Sequence, residues 1–238
     1  MSESGDIWVY LSASPLLHLS LTLSAFVVAS ALYNRLRRSP LLNPVLLSVV
    51  AIVALLHLTD TDYDRYFDGA KFVHFLLGPA TVALAVPLYR QFERVRKSAL
   101  AILVSLVCGS LTAAVSAISL AWLLGAHPVS IVSLAPKSVT APVAMGISEQ
   151  LGGLPSLTAV LVILTGIVGA MLGPAVLKLL CIEDPAAQGM AMGTASHGIG
   201  TARALQLGEL AGAFAGLAMG LNALATALLL PLLWRLMF

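Results

Sequence analysis

Apolar runs follow one another along the chain at 14–33, 40–58, 72–89, 99–124, 129–147, 156–180, 187–206 and 209–234. A hydrocarbon core of about 30 Å takes about 20 residues of helix, so runs of this length predict helices that cross a bilayer. Polar residues collect in the short loops between them. The pattern predicts an all-α polytopic membrane protein with about eight membrane segments, forming a single membrane domain over residues 1–238. The third, fifth and seventh runs are different. They carry Gly, Pro, Ser and Thr in their middles, where a plain spanning helix carries Leu and Val. Such interruptions predict discontinuous or re-entrant helices, because proline removes a backbone donor and clashes with the preceding turn.

The interrupted runs echo one another. "LLGPATVAL" at 76–84 aligns with "SLAPKSVTA" at 133–141, and the same offset of 57 pairs Gly109 with Gly166. A fainter third copy is "AMGTASHGI" at 191–199. Repeat-like units are expected over about 72–124, 129–180 and 187–234. The candidate helix-breaking positions are Gly78, Pro79, Pro136, Pro142, Gly193 and Gly198. Internal repeats with helices broken at matching places point to a secondary transporter and to its substrate site.

Composition agrees with lipid as the solvent. The 238 residues are 59% hydrophobic and 10% charged, against about 25% charged in a soluble domain. A net charge of +2, with no basic stripe interleaved with aromatics, excludes nucleic-acid binding. The first residues, "MSESGDIWVYLS", lack a basic region and a small-residue cleavage site, so the first segment is expected to stay in the protein. Arg35, Arg37 and Arg38 follow the first segment, and Arg90, Arg94, Arg96 and Lys97 follow the third. The loops after the second segment and after the sixth (Glu183, Asp184) are acidic. The positive-inside rule then puts the arginine clusters in the cytoplasm and both termini outside, provided every odd segment crosses fully. A re-entrant segment would flip everything after it. Cys108 and Cys181 have neither metal-ligand nor redox spacing and are expected to be small buried hydrophobes.

Lys137 is the one charge between Lys97 and Glu149, and it stands in "SLAPKSVTAPVAMG" between two prolines. A lysine at mid-membrane costs roughly 2.5–3.5 kcal/mol on insertion scales. A helix break creates a new N-terminus whose free N–H groups and partial positive charge attract carboxylate. With Pro136 at the first helical position, Lys137, Ser138 and Thr140 would stand in or beside the first turn and suit a small anion. The competing reading shortens the fifth segment, so that Lys137 snorkels to an interface or pairs with Glu149 or Glu209.

The other dense cluster is "GMAMGTASHGIGTARALQLGE", where Ser196, His197, Thr201 and Arg203 lie among five glycines between Gly189 and Gly208. His197 is a candidate proton carrier and Arg203 a candidate carboxylate grip, against plain roles in packing and as a loop charge. Ser196 beside His197 is no hydrolase motif, since sequence neighbours on a helix diverge and no acid is placed to orient the ring. No nucleotide loop, metal motif or cofactor signature is present, so no enzyme activity is expected. No acidic pair occupies the middle of a run, which disfavours cation antiport on paired carboxylates. Asn222, the lone amide of the last run, is read as a hydrogen-bonding residue reaching across to a broken segment. The small-residue faces Gly208/Gly212/Gly216/Gly220 and Gly166/Ala170 favour helix association, whether in a carrier or in a pore.

Four stretches resemble the LrgB/CidB family of bacterial membrane proteins: "NPVLLSVV" at 43–50, "LGPATVALAVPLY" at 77–89, "APKSVTAPVAMGISEQLGG" at 135–153 and "ASHGIGTARALQLGE" at 195–209. The resemblance covers about residues 12–235. It implies a multi-pass protein of the bacterial inner membrane that acts with a small LrgA/CidA-type membrane partner; a homodimer or higher homo-oligomer is expected as well. Members carry antiholin-like or holin-like names tied to murein hydrolase control and cell lysis. A plastid relative is a glycolate/glycerate translocator, and bacterial pairs are linked to pyruvate uptake. The resemblance thus implies transport of small monocarboxylates, with a possible coupling proton or sodium ion. The expected substrate contacts are Thr81, Lys137, Ser138, Thr140, Ser196, His197, Thr201 and Arg203. The alternative is a holin- or antiholin-like regulator of murein hydrolase export.

Overall fold

A computed structural model describes residues 15–36, 42–83 and 85–237; the side chains of Leu77, Gly78, Thr81 and Met237 lie outside that description. Arg37, Arg38 and the first fourteen residues also fall outside the described residues. The chain forms two compact units, residues 1–83 and 84–238.

In the first unit, α1 (Pro15–Arg35) packs against α2 (Pro44–Leu58) and α3 (Tyr63–Phe75), followed by the short α4 (Leu77–Ala83). Asn43 caps α2 by accepting from the Val45 and Leu46 amides. Gly69 brings α3 against the first turn of α1, where a Cβ would meet the Pro15 carbonyl and the His18 Cβ. His18 is therefore a packing residue, buried with its ring edge-on to Tyr66.

The second unit begins with the short helices α5 (Ala85–Arg90) and α6 (Phe92–Lys97). Its long helices are α7 (Ala99–Leu123), α10 (Pro155–Leu179) and α12 (Glu209–Met237). Between them lie the interrupted segments, α8 (Pro128–Leu134) with α9 (Ala141–Gln150), and α11 (Pro185–Leu207). Among the described residues, four helices are long and apolar enough to span a membrane, namely α1, α7, α10 and α12. Of the eight expected segments, four thus form as long continuous helices among the described residues. α2 has 15 residues, the third run is divided among α3, α4 and α5, and the fifth and seventh runs are broken.

The interrupted segments turn back. Arg94, before α7, lies 3.7 Å from Asp184, the N-cap of α11. Residues 94 and 184 therefore share one end of the unit, and α7 and α10 each run its length in between. The stretch 128–150 must then begin and finish at the other end. Packing agrees: Ala121, Ala126, Ile131, Ala135, Ile147, Leu151, Leu230 and Trp234 form one cluster there. This is the re-entrant case, in which the orientation expected from the loop charges changes after the fifth segment. The fifth segment does not cross, so Asp184 lies beside Arg94 and not on the opposite face.

α11 reverses as well. Its helical geometry fails at Ser196 (φ −133°, ψ 16°) and His197 (φ 42°, ψ −135°). A Cβ on Gly200 would touch the Met192 carbonyl, eight residues back, which an unbroken helix would hold about 12 Å away. Ala204 returns to pack on Leu177, Met192 and Ala211. The result is two helical hairpins, 128–150 and 185–207, entering from opposite ends. An arm of ten residues rises about 15 Å, half the thickness of a hydrocarbon core, so each tip reaches mid-depth. Cys108 and Cys181 are exposed rather than buried as expected, because Cys108 lies on an outward face of α7 and Cys181 follows the last turn of α10.

Candidate functional site: two hairpin tips joined at mid-depth

The first hairpin is held at its arms by buried hydroxyls. Ser133, Ser148 and Thr158 are each fully buried. The Thr158 hydroxyl donates to the Ser133 carbonyl (2.9 Å) and pairs with the Ser148 hydroxyl (2.7 Å). The Leu154 amide donates to Ser133 Oγ (2.8 Å). Polar groups that lipid would leave unpaired thus satisfy one another and fix both arms to the start of α10.

At the tip, Pro136, Lys137, Ser138 and Val139 form the turn between α8 and α9. Here the structure corrects the expected register. Pro136 does not open a helix; it is buried at the end of α8, while Pro142 stands in the first turn of α9 and Thr140 is the N-cap. Lys137 and Ser138 therefore precede the first turn. The α9 N-terminus has no side-chain cap, so its positive end is left facing the tip. Lys137 is half-buried, with Nζ 3.3 Å from Ser138 Oγ. No carboxylate pairs with it among the described residues, and Glu209 is taken by Arg90 at 3.3 Å. This removes the structural-pair alternative.

At the second tip, His197 has a positive φ, a conformation worth about 1–3 kcal/mol of strain in a side-chain-bearing residue. Two bonds hold it. The Thr201 hydroxyl donates to the His197 carbonyl (2.9 Å), and His197 Nε2 lies 2.9 Å from the Val162 carbonyl of α10. A carbonyl only accepts, so Nε2 carries the hydrogen. Gly166 makes this approach possible, since a Cβ there would stand 2.7 Å from His197 Cε1. Gly166, of the Gly166/Ala170 stripe, therefore helps seat the second hairpin within the chain. Ser196 is buried against Gly169. Gly193 is not a break, which falls three residues later; it is a close contact with α12, while Gly198 follows the turn.

Asn222, midway along α12, joins the tips. Its amide nitrogen donates to the Ser138 carbonyl (3.2 Å) and to the Thr194 carbonyl (3.0 Å), while Oδ1 accepts from the Ser110 hydroxyl of α7. Both hydrogens of the amide are used, and the two carbonyls fix which way it faces. Val139 packs on Val162 and Ala223 beside it. The structure thus brings Lys137, Ser138 and Thr140 to one tip and Ser196, His197 and Thr201 to the other, and ties the tips through Asn222. Arg203 stands apart on the returning arm, where its guanidinium donates to Gln206 (2.8 Å). Gly78, Pro79 and Thr81 lie in α4 of the first unit, and the side chain of Thr81 is outside the described residues. Ser110 and Thr194 were missed by sequence reasoning. Their signal was a single hydroxyl beside a glycine (Gly109, Gly193) in an apolar run.

The LrgB-like family model matches residues 22–236. A Bacillus subtilis (strain 168) protein, uncharacterized protein YxaC, is 40% identical over 212 residues, covering 89% of this chain and 92% of that protein. The holin-like protein CidB of Staphylococcus epidermidis is 33% identical, covering 94% of this chain and 96% of its own length. The antiholin-like protein LrgB of Bacillus mycoides is 30% identical, covering 92% and 95%. No solved structure matches the chain. This helical membrane protein belongs to the LrgB-like family.

Proposed function

We propose that the protein is a carrier for small monocarboxylates of the pyruvate, glycolate or glycerate type in the bacterial inner membrane. The observation that carries this reading is the meeting of two opposed hairpins at mid-depth beside a half-buried lysine without a carboxylate partner among the described residues. Hairpins entering from opposite faces offer two gates to one site, the arrangement alternating access requires. The carboxylate docks against Lys137, Ser138 and the α9 N-terminus at Thr140; Ser196, His197 and Thr201 form the far wall. His197 or a sodium ion serves coupling.

Two halves, each a 25-residue helix followed by a 23-residue hairpin segment, support an inverted repeat. α7 and α10 have 25 residues each, and the hairpins start at 128 and 185, the offset of 57 read in the sequence. Arg90, Arg94, Arg96, Lys97, Lys178 and Arg203 fall toward the end of the unit where the second hairpin enters, so this end is taken as cytoplasmic. The first hairpin, with Lys137, then opens outward. An LrgA/CidA-type subunit and a homo-oligomeric assembly complete the reading.

The relatives' names favour a second reading, in which the chain is a holin- or antiholin-like component regulating murein hydrolase export. Proteoliposomes separate the two. A carrier gives saturable counterflow of labelled pyruvate, glycolate or glycerate, reduced by the other acids and sensitive to a pH or sodium gradient. Large non-saturable conductance, with no counterflow for any acid on the panel, would overturn the carrier reading in favour of the second.

A further inference from the structure

We infer that Asn222 is a positioning residue that holds both hairpin tips closed and so suppresses leak through the protein, an inference that rests on the carrier reading. Ser138, Thr194 and Ser110 belong to three different elements, 84, 28 and 112 residues from Asn222. One amide meets all three. The Nδ2 hydrogens go one to each tip, and the buried Ser110 hydroxyl aims the amide from behind by occupying Oδ1.

The partners at the tips are backbone carbonyls, which fixes what is being held. A side-chain partner could turn away while the tip stayed in place. A carbonyl leaves only if the turn itself moves off α12. Opening one hairpin therefore breaks one Asn222 bond, and opening both breaks two. The state with both gates open, which would leak, loses both tip bonds. The apolar contacts beside it point the same way, since Val139 leaves Val162 and Ala223 when the first tip departs. Asn222 touches no part of the proposed anion site through its own side chain except by these carbonyls, so it positions the gates and does not bind the substrate.

The test uses the full chain in proteoliposomes with Cys108 and Cys181 replaced by serine, which removes the exposed native thiols. Reporter cysteines at the tips are Val139→Cys and Thr194→Cys, both at buried positions. A control cysteine, Ala117→Cys, is buried in α7 seven residues along the helix from Ser110. Labelling by a membrane-impermeant maleimide without substrate reads tip opening. Asn222→Leu, nearly the same shape without the amide, is expected to speed labelling at both tips about tenfold and to raise passive anion leak about a hundredfold, with no change at residue 117. Ser110→Ala, a milder change that only releases the amide's orientation, is expected to speed both tips by a smaller factor, and it decides the matter if Asn222→Leu fails to fold. Equal acceleration at residue 117 would reduce Asn222 to a general packing residue and overturn the inference. So would unchanged labelling at either tip. Because the labelling needs no substrate, its failure leaves the carrier reading intact, whereas missing counterflow in the parent protein defeats that reading whatever the labelling gives.

Discussion

Replacing Gly193 with valine is expected to stop the second hairpin from seating on α12. A Cβ at this position would meet the Ala215 carbonyl oxygen and stand 2.8 Å from its carbon and 2.9 Å from its Cα. Those are backbone atoms of a helix and cannot swing aside as a flexible side chain would. One turn earlier, Gly189 faces Ala211 and Ala215 in the same way, with a Cβ 3.0 Å from the Ala215 nitrogen. The pair at i and i+4 is a small-residue contact that lets two helices approach backbone to backbone. Valine would push the arm off α12 along its length. Overpacking costs about 1–3 kcal/mol even where side chains can yield, so about 3 kcal/mol or more is expected against a rigid backbone. Total stabilities run to about 5–15 kcal/mol, so a large loss of thermal stability and of monodisperse protein in detergent should follow. Gly146→Ala supplies the control. It lies inside α9 with nothing within 4 Å of a Cβ, and alanine there is expected to be neutral or stabilising by up to about 1 kcal/mol. Parent-like melting of Gly193→Val would mean that α11 and α12 are not in the contact described.

Lys137→Ala should separate function from stability in the opposite direction. The ammonium has no ion-pair partner among the described residues, only Ser138 Oγ at 3.3 Å. Removing it breaks no pair, and it lifts a cost of roughly 2.5–3.5 kcal/mol for holding a lysine at membrane depth. The melting temperature should stay level or rise. Substrate counterflow should fall at least about tenfold to a hundredfold, since a charge-assisted contact to a carboxylate is worth about 1.5–3 kcal/mol. Lys137→Arg should recover part of it, because the charge remains while the fork geometry differs from a point ammonium. Loss of stability together with loss of uptake would make Lys137 a structural residue, and undiminished counterflow in the alanine variant would remove it from the site.

Where the long continuous helices of the second unit begin was legible in the sequence, because lipid forces every backbone group in an apolar run to bond locally. The runs 99–124 and 156–180 became Ala99–Leu123 and Pro155–Leu179. The special character of the fifth and seventh runs was legible too, in Pro136, Lys137 and the glycines around His197. The direction of the chain after each break was not. A half-length helix has the same composition whether it goes on or turns back, and the deciding contacts join distant residues, such as Arg94 with Asp184. The position of the second break was also hidden. Glycine marks positive φ in a sequence, yet here His197 adopts it, held by Val162 and Thr201, while Gly193 serves packing. Asn222 could be read as a polar residue seeking a partner across the membrane. That it would find one on each hairpin depended on a topology no local pattern carries.

The opposed hairpins are tested most directly by sidedness. Single cysteines replacing Lys97, His127, Glu149 and Glu183, all exposed near segment ends, can be labelled with an impermeant thiol reagent in intact cells and in inverted vesicles. The account predicts that residues 127 and 149 react from one face and residues 97 and 183 from the other. Reaction of 127 and 149 from opposite faces would mean that the stretch carrying Lys137 crosses the membrane, and the two-hairpin architecture would be wrong.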